Sequence, residues 1–474
     1  MTSRAATVLD QTSTRAGARP REDTDRRALP GALPPGPRTP RFLLLLRWTR
    51  NPVPVLDACA RELGECFTIA LPGTPPFVLF SNPAAIKDIF TGDPDDLRAG
   101  EANRILEPLV GANSLLILDG TRHRRERRLL LPPFHGERMQ GYGATMREAA
   151  ERSIGRWPLD RAFAIQPYLQ AITLEVILRA VFGFDDGDEM EHLRRSVTRL
   201  LTLTSNPIWL APWARVNLGP LTPWAGIERA GREVDELLLA QITRRRVEGT
   251  TGRRDVLSML VDARDEEGAP MSDAELRDEL ITLLVAGHET TTAALAWTIH
   301  RLLCHPDVLA RVRGELGRVV GAGTVGGAHA ARLEYLDATV KETLRMHTVL
   351  PLVWRRLERP TRIGGHLLPA GVVAAAAIHL AHRRADVWSQ PDRFLPDRFL
   401  GARPSPYEYL PFGGGVRRCI GMAFALFEMK IVLAHILQRV ELRSPPGFSV
   451  RTVRRSIILA PASGLPVLAR MRSS

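Results

Sequence analysis

A helix of unusual length is written into the middle of this 474-residue chain. Ser272-Asp273-Ala274-Glu275 is a capping box, in which serine and glutamate satisfy each other's free N–H groups. No proline then interrupts the chain until Pro306. Roughly 30 residues at 1.5 Å each give a rod of about 45 Å, enough to cross a whole domain. Whatever fold forms must be built around that rod. Its centre, Ala286-Gly287-His288-Glu289-Thr290-Thr291, interrupts an apolar neighbourhood, Leu283-Leu284-Val285 and Ala293-Ala294-Leu295. Small residues at 286 and 287 predict space beside the helix. Thr290 can bond back to a carbonyl of the preceding turn, or to a ligand in that space. Glu289 adds a carboxylate one residue earlier.

The rest of the chain reads as mainly α, with small β-sheets whose strands are far apart in sequence. Cys66–Leu71 and Phe77–Phe80 predict a hairpin, and Ser81-Asn82-Pro83 a capped helix start. Residues 97–118, with several Gly, Asn and Pro, read as a loop. Helices are expected over 119–200 and 225–347, and short strands over 361–378 and 449–470. Thr204–Pro223 is apolar yet broken by proline and glycine, which predicts a lid over a site. Hydrophobic residues make up 45% of the chain, and nothing resembles a linker after residue 40. One large domain over 41–474 is expected, preceded by a disordered Pro/Arg-rich arm over 1–40. The arm ends in a stiff Leu33-Pro34-Pro35-Gly36-Pro37 segment.

Charge and cysteine usage narrow the setting. The net charge is +12, but the arginines are scattered and no nucleic-acid module is visible. An acidic protein partner is expected rather than nucleic acid. No apolar run reaches the ~18–20 residues of a membrane span. Phe42–Leu46 is too short and lies between Arg41 and Arg47. No secretory signal opens the chain. Four cysteines without paired metal spacing argue against a disulfide framework and for a reducing cytoplasm.

One of those cysteines lies in a special setting: Phe412-Gly413-Gly414-Gly415-Val416-Arg417-Arg418-Cys419-Ile420-Gly421. Two arginines and the start of an apolar helical run favour a thiolate there. The glycines let backbone N–H groups approach the sulfur. Such a thiolate is a soft metal ligand, and on haem iron it favours O–O cleavage.

The pattern Phe-x-x-Gly-x-Arg-x-Cys-x-Gly is matched in full and resembles the haem-binding signature of the cytochrome P450 family. Three further motifs occur in the family's order: His123-x-x-x-Arg127, the acid–alcohol pair Glu289-Thr290, and Glu342-x-x-Arg345. The resemblance spans about residues 33–470. It implies the P450 fold, with the long central helix crossing a haem-binding domain. It implies haem b (iron protoporphyrin IX), with Cys419 as the iron ligand and Phe412 and Gly421 framing its loop. The two propionates would be held by His123, Arg127, Arg417 and Arg355, with Arg356 an alternative to Arg355. Glu342, Arg345 and Arg398 would form a buried structural triad. Thr290 would orient dioxygen and its protons, and Glu289 would relay protons from water, which is general acid chemistry.

The activity so implied is insertion of one oxygen atom from O2 into a lipophilic substrate, by hydroxylation or epoxidation. A fatty acid, a terpenoid or a polyketide-like product of secondary metabolism would fit. No flavin or iron–sulfur segment is present, so a ferredoxin and its reductase are expected as electron donors. They would dock on a basic face containing Arg122, Arg124, Arg125, Arg128 and Arg418. The extended Pro391–Phe399 segment and Leu129–His135 resemble the branch shared by eukaryotic and certain bacterial members; with the absent membrane anchor and Arg-rich usage, a soluble bacterial enzyme acting as a monomer is expected. Expected pocket pieces are 97–118, 204–223, Leu284, Ala286, Gly287, Val349–Val353 and Ile457–Ala460, with Arg98 or Arg104 available for a substrate carboxylate. Two other readings use the same motifs. One is a peroxide-using enzyme or isomerase, whose relatives generally lose the acid–alcohol pair; the other is a non-catalytic haem-binding sensor.

Overall fold

The capping box forms as expected. The Ser272 hydroxyl accepts from the Glu275 N–H at 3.2 Å, and the Glu275 carboxylate accepts from the Ser272 N–H at 2.8 Å. In the computed structural model, which describes residues 33–134, 138–210, 214–215, 217, 219 and 222–472, the helix then runs unbroken over Asp273–Cys304. It is apolar almost all round, because other elements pack along every side of it. Gln166–Ala180, Pro223–Glu248, Glu334–Met346 and Met422–Arg439 all lie against it. Arg138–Ile154 packs on both Gln166–Ala180 and Met422–Arg439, closing a helical layer around the rod.

The β pieces sit to one side. Cys66–Ile69 pairs antiparallel with Phe77–Phe80, which pairs parallel with Val373–Ala376. Val373–Ala376 pairs antiparallel with Val353–Leu357, and Leu97–Arg98 completes this five-stranded sheet. The sheet is therefore mixed, and it places Val353–Leu357 in register with the rest of the β side. A second hairpin pairs Thr452–Arg455 with Ile458–Pro461 and packs on the long helix.

Asn82 caps Pro83–Thr91 by accepting from the Ala84 N–H at 2.8 Å. Of the loop expected over 97–118, residues 111–118 are turn and coil as expected, but 97–110 are folded. Leu97–Arg98 is a strand, followed by helical turns at Ala99–Asn103, Arg104–Leu106 and Glu107–Val110. Side chains from elsewhere in sequence fix it: the Asp119 carboxylate accepts from the N–H groups of Gly100 and Glu101 at 2.9 Å each. Asp278 accepts from the Asn113 backbone and side chain, also at 2.9 Å each.

Residues 1–32 of the expected arm lie outside the described residues. Pro34 and Pro35 lie against the first strand, their carbonyls accepting from the Thr68 hydroxyl at 2.6 Å and its N–H at 2.9 Å. Of the expected lid, Pro207–Leu210 forms a short 3-10 turn, while 211–213, 216, 218, 220 and 221 lie outside the described residues, as do His135 and residues 136–137. All four cysteines are free thiols. No described helix is long and apolar enough to cross a membrane.

Candidate functional site

Cys419 lies three residues before Met422, the first residue of the helix Met422–Arg439. Its N–H donates to the Phe412 carbonyl at 2.9 Å, so the loop closes on itself. Gly413 and Gly415 hold φ of 65° and 63°, a left-handed conformation that favours glycine. Gly414 is required for space: a Cβ there would lie 2.2 Å from the Phe90 ring. Cys419 is accessible although it sits well inside the protein envelope, and Val416 beside it is 47% exposed. An accessible sulfur at such depth marks a cavity wall. The expectation of a lowered thiol pKa is overturned for the protein alone. Burial pushes the thiol up, and the Gly421 N–H, Arg127 and Arg418 pull it back only in part.

Four basic side chains converge beside this loop. Arg417 donates to the Leu115 carbonyl at 3.0 Å and is ion-paired with Asp119. Arg127 donates to the Arg418 carbonyl at 2.8 Å, tying the helix Gly120–Leu130 to the cysteine loop. Arg355 points inward and donates to the carbonyls of Trp354 (2.7 Å) and Gly414 (3.5 Å). Arg356 points elsewhere and pairs with Glu101 at 3.0 Å, so Arg355 is the arginine that faces the loop. Burial and the charge of Arg417 lower Arg355 to about 10. Burial and the neighbouring Arg417, Arg127 and Arg355 drive His123 down to about 3, so it is a neutral imidazole. The carboxylate that reaches this group, Asp119, is already taken by Arg417 and two backbone N–H groups. The group as a whole keeps an excess of positive charge in a buried place, which calls for an anion.

The long helix packs on Met422–Arg439, the helix that follows the cysteine loop. Ala286 is exposed midway along a helix otherwise enclosed by core. The Thr290 hydroxyl donates to the Ala286 carbonyl at 2.5 Å, the back-bond expected from sequence. Gly287 does something else: a Cβ there would lie 3.1 Å from Ile177, so this glycine lets Gln166–Ala180 approach and opens no space. Leu284 is likewise fully buried in the core and lines no cavity. Burial raises the Glu289 carboxyl, and the charge of Arg455 opposes that rise. His288 faces away and bonds to the Thr173 hydroxyl at 2.8 Å. Burial lowers it to about 4, so it is neutral.

Glu342 and Arg345 are both fully buried and joined by two hydrogen bonds of 2.8 and 2.9 Å. Arg398 completes the triad at 3.1 Å. The basic face is smaller than its sequence suggests. Arg125 is held by Asp265 at 2.6 Å, Glu275 at 3.2 Å and Glu126, and Arg128 is paired with Glu266. Asp119 is the residue that sequence reasoning missed; it joins Arg417 to the 97–118 segment, and no local motif advertises that role.

An accessible sulfur, a long helix with an open alanine and an under-neutralised cluster of cations fit a flat, dianionic metal macrocycle such as haem. Gly421 supports the fit, since a Cβ there would meet nothing within 4 Å. Residues 33–466 match the family model for cytochrome P450. The chain belongs to the cytochrome P450 family.

Its relatives include cytochrome P450 135B1 of Mycobacterium tuberculosis, 41% identical over 92% of this chain and 91% of that protein. Cytochrome P450 137 of the same species is 38% identical over 86% and 83% of the two chains. Two solved structures share the fold at a TM-score of 0.82 each: a retinoic acid-bound cyanobacterial CYP120A1, 25% identical over 94% of this chain and 100% of that one, and the cytochrome P450DA haem domain, 27% identical over 94% and 99%. As a P450, this chain is an oxidoreductase of the monooxygenase class with haem b as its prosthetic group. P450s of this fold take small substrates and electrons from redox partners.

Proposed function

We propose that the protein inserts one atom of O2 into a lipophilic substrate, by hydroxylation or epoxidation, as a cytoplasmic monomer fed by a ferredoxin and its reductase. Cys419 would ligate the haem iron. His123, Arg127, Arg355 and Arg417 would hold the propionates, while Phe412 and Gly421 shape the proximal wall. Haem so bound supplies oxygen activation, favoured by a thiolate on the iron. The observation that carries the reading is the intact Glu289-Thr290 pair on the long helix, beside the exposed Ala286.

The chain's own contribution is positioning and proton control. Burial favours the protonated form of Glu289, so it can carry a proton into a water-poor site. The Thr290 hydroxyl donates to the Ala286 carbonyl, which fixes its position; its oxygen lone pairs would accept a hydrogen bond from a water or a proton carrier in the site. Apolar side chains around Ala293, including Val349, Leu350 and Ile457, keep water out and suit an apolar substrate. The structural neighbour CYP120A1 is bound to retinoic acid, a molecule with a long apolar body. The intact pair weighs against the peroxide-using or isomerase reading.

Reconstitution with ferredoxin, its reductase and NADPH under 18O2 tests this. Added lipids that shift the haem spin state are expected to gain one 18O atom. Product formed only with added peroxide, and none with the electron donors, would sink the proposal.

A further inference from the structure

The hairpin Thr452–Arg455/Ile458–Pro461 carries an arginine that the fold does not use. Its register pairs Arg455 with Ile458 and Val453 with Ala460. Residues directly opposite each other in an antiparallel pair share one face. Ile458 and Ala460 pack on Ala293 of the long helix, so Arg455 lies on the face turned toward that helix. Glu289 is one helical turn before Ala293, on the same side. The charge of Arg455 acts on Glu289, as this placement requires.

The backbone around Arg455 is pinned while its side chain is left free. The Ser456 N–H donates to the Ser205 carbonyl at 2.7 Å, tying the turn to the segment after Asp188–Thr204. Asn51 donates to the Thr452 carbonyl at 3.1 Å, and Arg454 to the carbonyls of Ser456 (2.8 Å) and Trp48 (3.1 Å). Arg455 itself is partly buried, yet among the described residues it has no ion pair and no hydrogen-bond partner. The arginines expected to be available for a substrate carboxylate are instead occupied: Arg104 pairs with Glu101 at 2.9 Å, and Arg98 lies 4.0 Å from Glu358. Among the described residues Glu289 and Arg455 form no ion pair, so the neighbouring carboxyl does not occupy the guanidinium.

A partly buried arginine whose guanidinium has no acceptor is open to a ligand, and a carboxylate would meet it with two parallel hydrogen bonds. The hairpin face that Arg455 shares with Ile458 and Ala460 packs against an apolar cluster that includes Val349, Leu350 and Ile457. We propose that Arg455 anchors the carboxylate of an amphiphilic substrate, an apolar body with one acidic end. The inference rests on reading the apolar surface between this hairpin and the long helix as the substrate site. It makes Arg455 a determinant of specificity, and the pinned hairpin a fixed reference from which the apolar body extends.

Isothermal titration of the haem-loaded protein with dodecanoate and with methyl dodecanoate tests it. The acid should bind at least tenfold more tightly than the ester. In Arg455→Gln that preference should vanish while ester affinity stays within twofold, and Arg455→Lys should keep part of it. Equal affinity of acid and ester in the wild type, no dodecanoate binding, or equal weakening of both ligands by Arg455→Gln would overturn the anchor. Should the glutamine variant fail to fold, the acid–ester comparison in the wild type still decides. Tight acid binding with no oxidised product under ferredoxin, reductase and O2 would instead count against the monooxygenase reading and leave the anchor standing.

Discussion

Single buried charges decide much of this protein's behaviour. Glu342 accepts from Arg345 twice, from Arg398 at 3.1 Å and from the Leu395 N–H at 2.9 Å. Glu342→Gln leaves Arg345, which is fully buried, without its counter-charge. The expected cost is about 3–5 kcal/mol, measurable as a lowered urea midpoint. Glu428 is the opposite case. It is buried among apolar side chains, its Oε1 has no hydrogen-bond partner among the described residues, and burial raises its pKa well above the ordinary 4.5. As pH rises past 4.5 the unfolded chain releases this proton while the native protein keeps it. The stability contributed is therefore complete at low pH and is lost as pH climbs toward the folded value, by up to about 1.4 kcal/mol per pH unit. Glu279 shifts in the same direction, through burial first and neighbouring carboxylates second. Unfolding free energies measured from pH 5 to 8 should fall with pH in the wild type and fall less steeply in Glu428→Gln. Parallel curves would refute this.

At the scale of elements, the cysteine loop depends on one close packing contact. A Cβ at Gly414 would lie 2.2 Å from the ring of Phe90, on the helix Pro83–Thr91. Gly414→Ala must displace either that helix or the loop that presents Cys419. Loss of the red-shifted carbon monoxide band is expected in Gly414→Ala, and partial recovery in Phe90→Ala/Gly414→Ala. Retention of the full band in the single variant would show that the loop tolerates the shift. Elements of this kind were legible in the sequence where spacing alone carries the physics. The capping box, the Glu342–Arg345 spacing and the glycine–cysteine run are all local patterns. Residues 97–110 were not legible, because Gly, Asn and Pro signal a loop locally, whereas Asp119 folds the segment from outside it. Helix rotation was also hidden: Gly287 and Ala286 are neighbours in sequence, yet one meets Ile177 and the other an open wall.

Across the whole molecule, a net charge of +12 matters only where cations remain unpaired on one face. Many arginines are neutralised locally, including Arg125 and Arg128 on the helix Gly120–Leu130. Arg124 on that helix has no carboxylate partner among the described residues, Arg122 bonds only to Asn113 at 2.8 Å, and Arg418 contacts only the Met422 sulfur at 3.1 Å. The Arg127–Arg418 hydrogen bond joins this helix to the cysteine loop. The unpaired charges are thus grouped on the Cys419 side, where an acidic electron donor would approach closest to the metal. Charges at the rim of such a contact act chiefly on the encounter rate and are screened by salt. Arg124→Glu and Arg418→Glu should each slow ferredoxin-driven reduction about threefold or more at low ionic strength and flatten its salt dependence. The two together should act roughly additively. Arg194→Glu, on the helix Asp188–Thr204 away from this loop, should leave the rate unchanged. Stopped-flow reduction across a salt series separates the outcomes, because a donor docking elsewhere would respond to all three substitutions alike or to none.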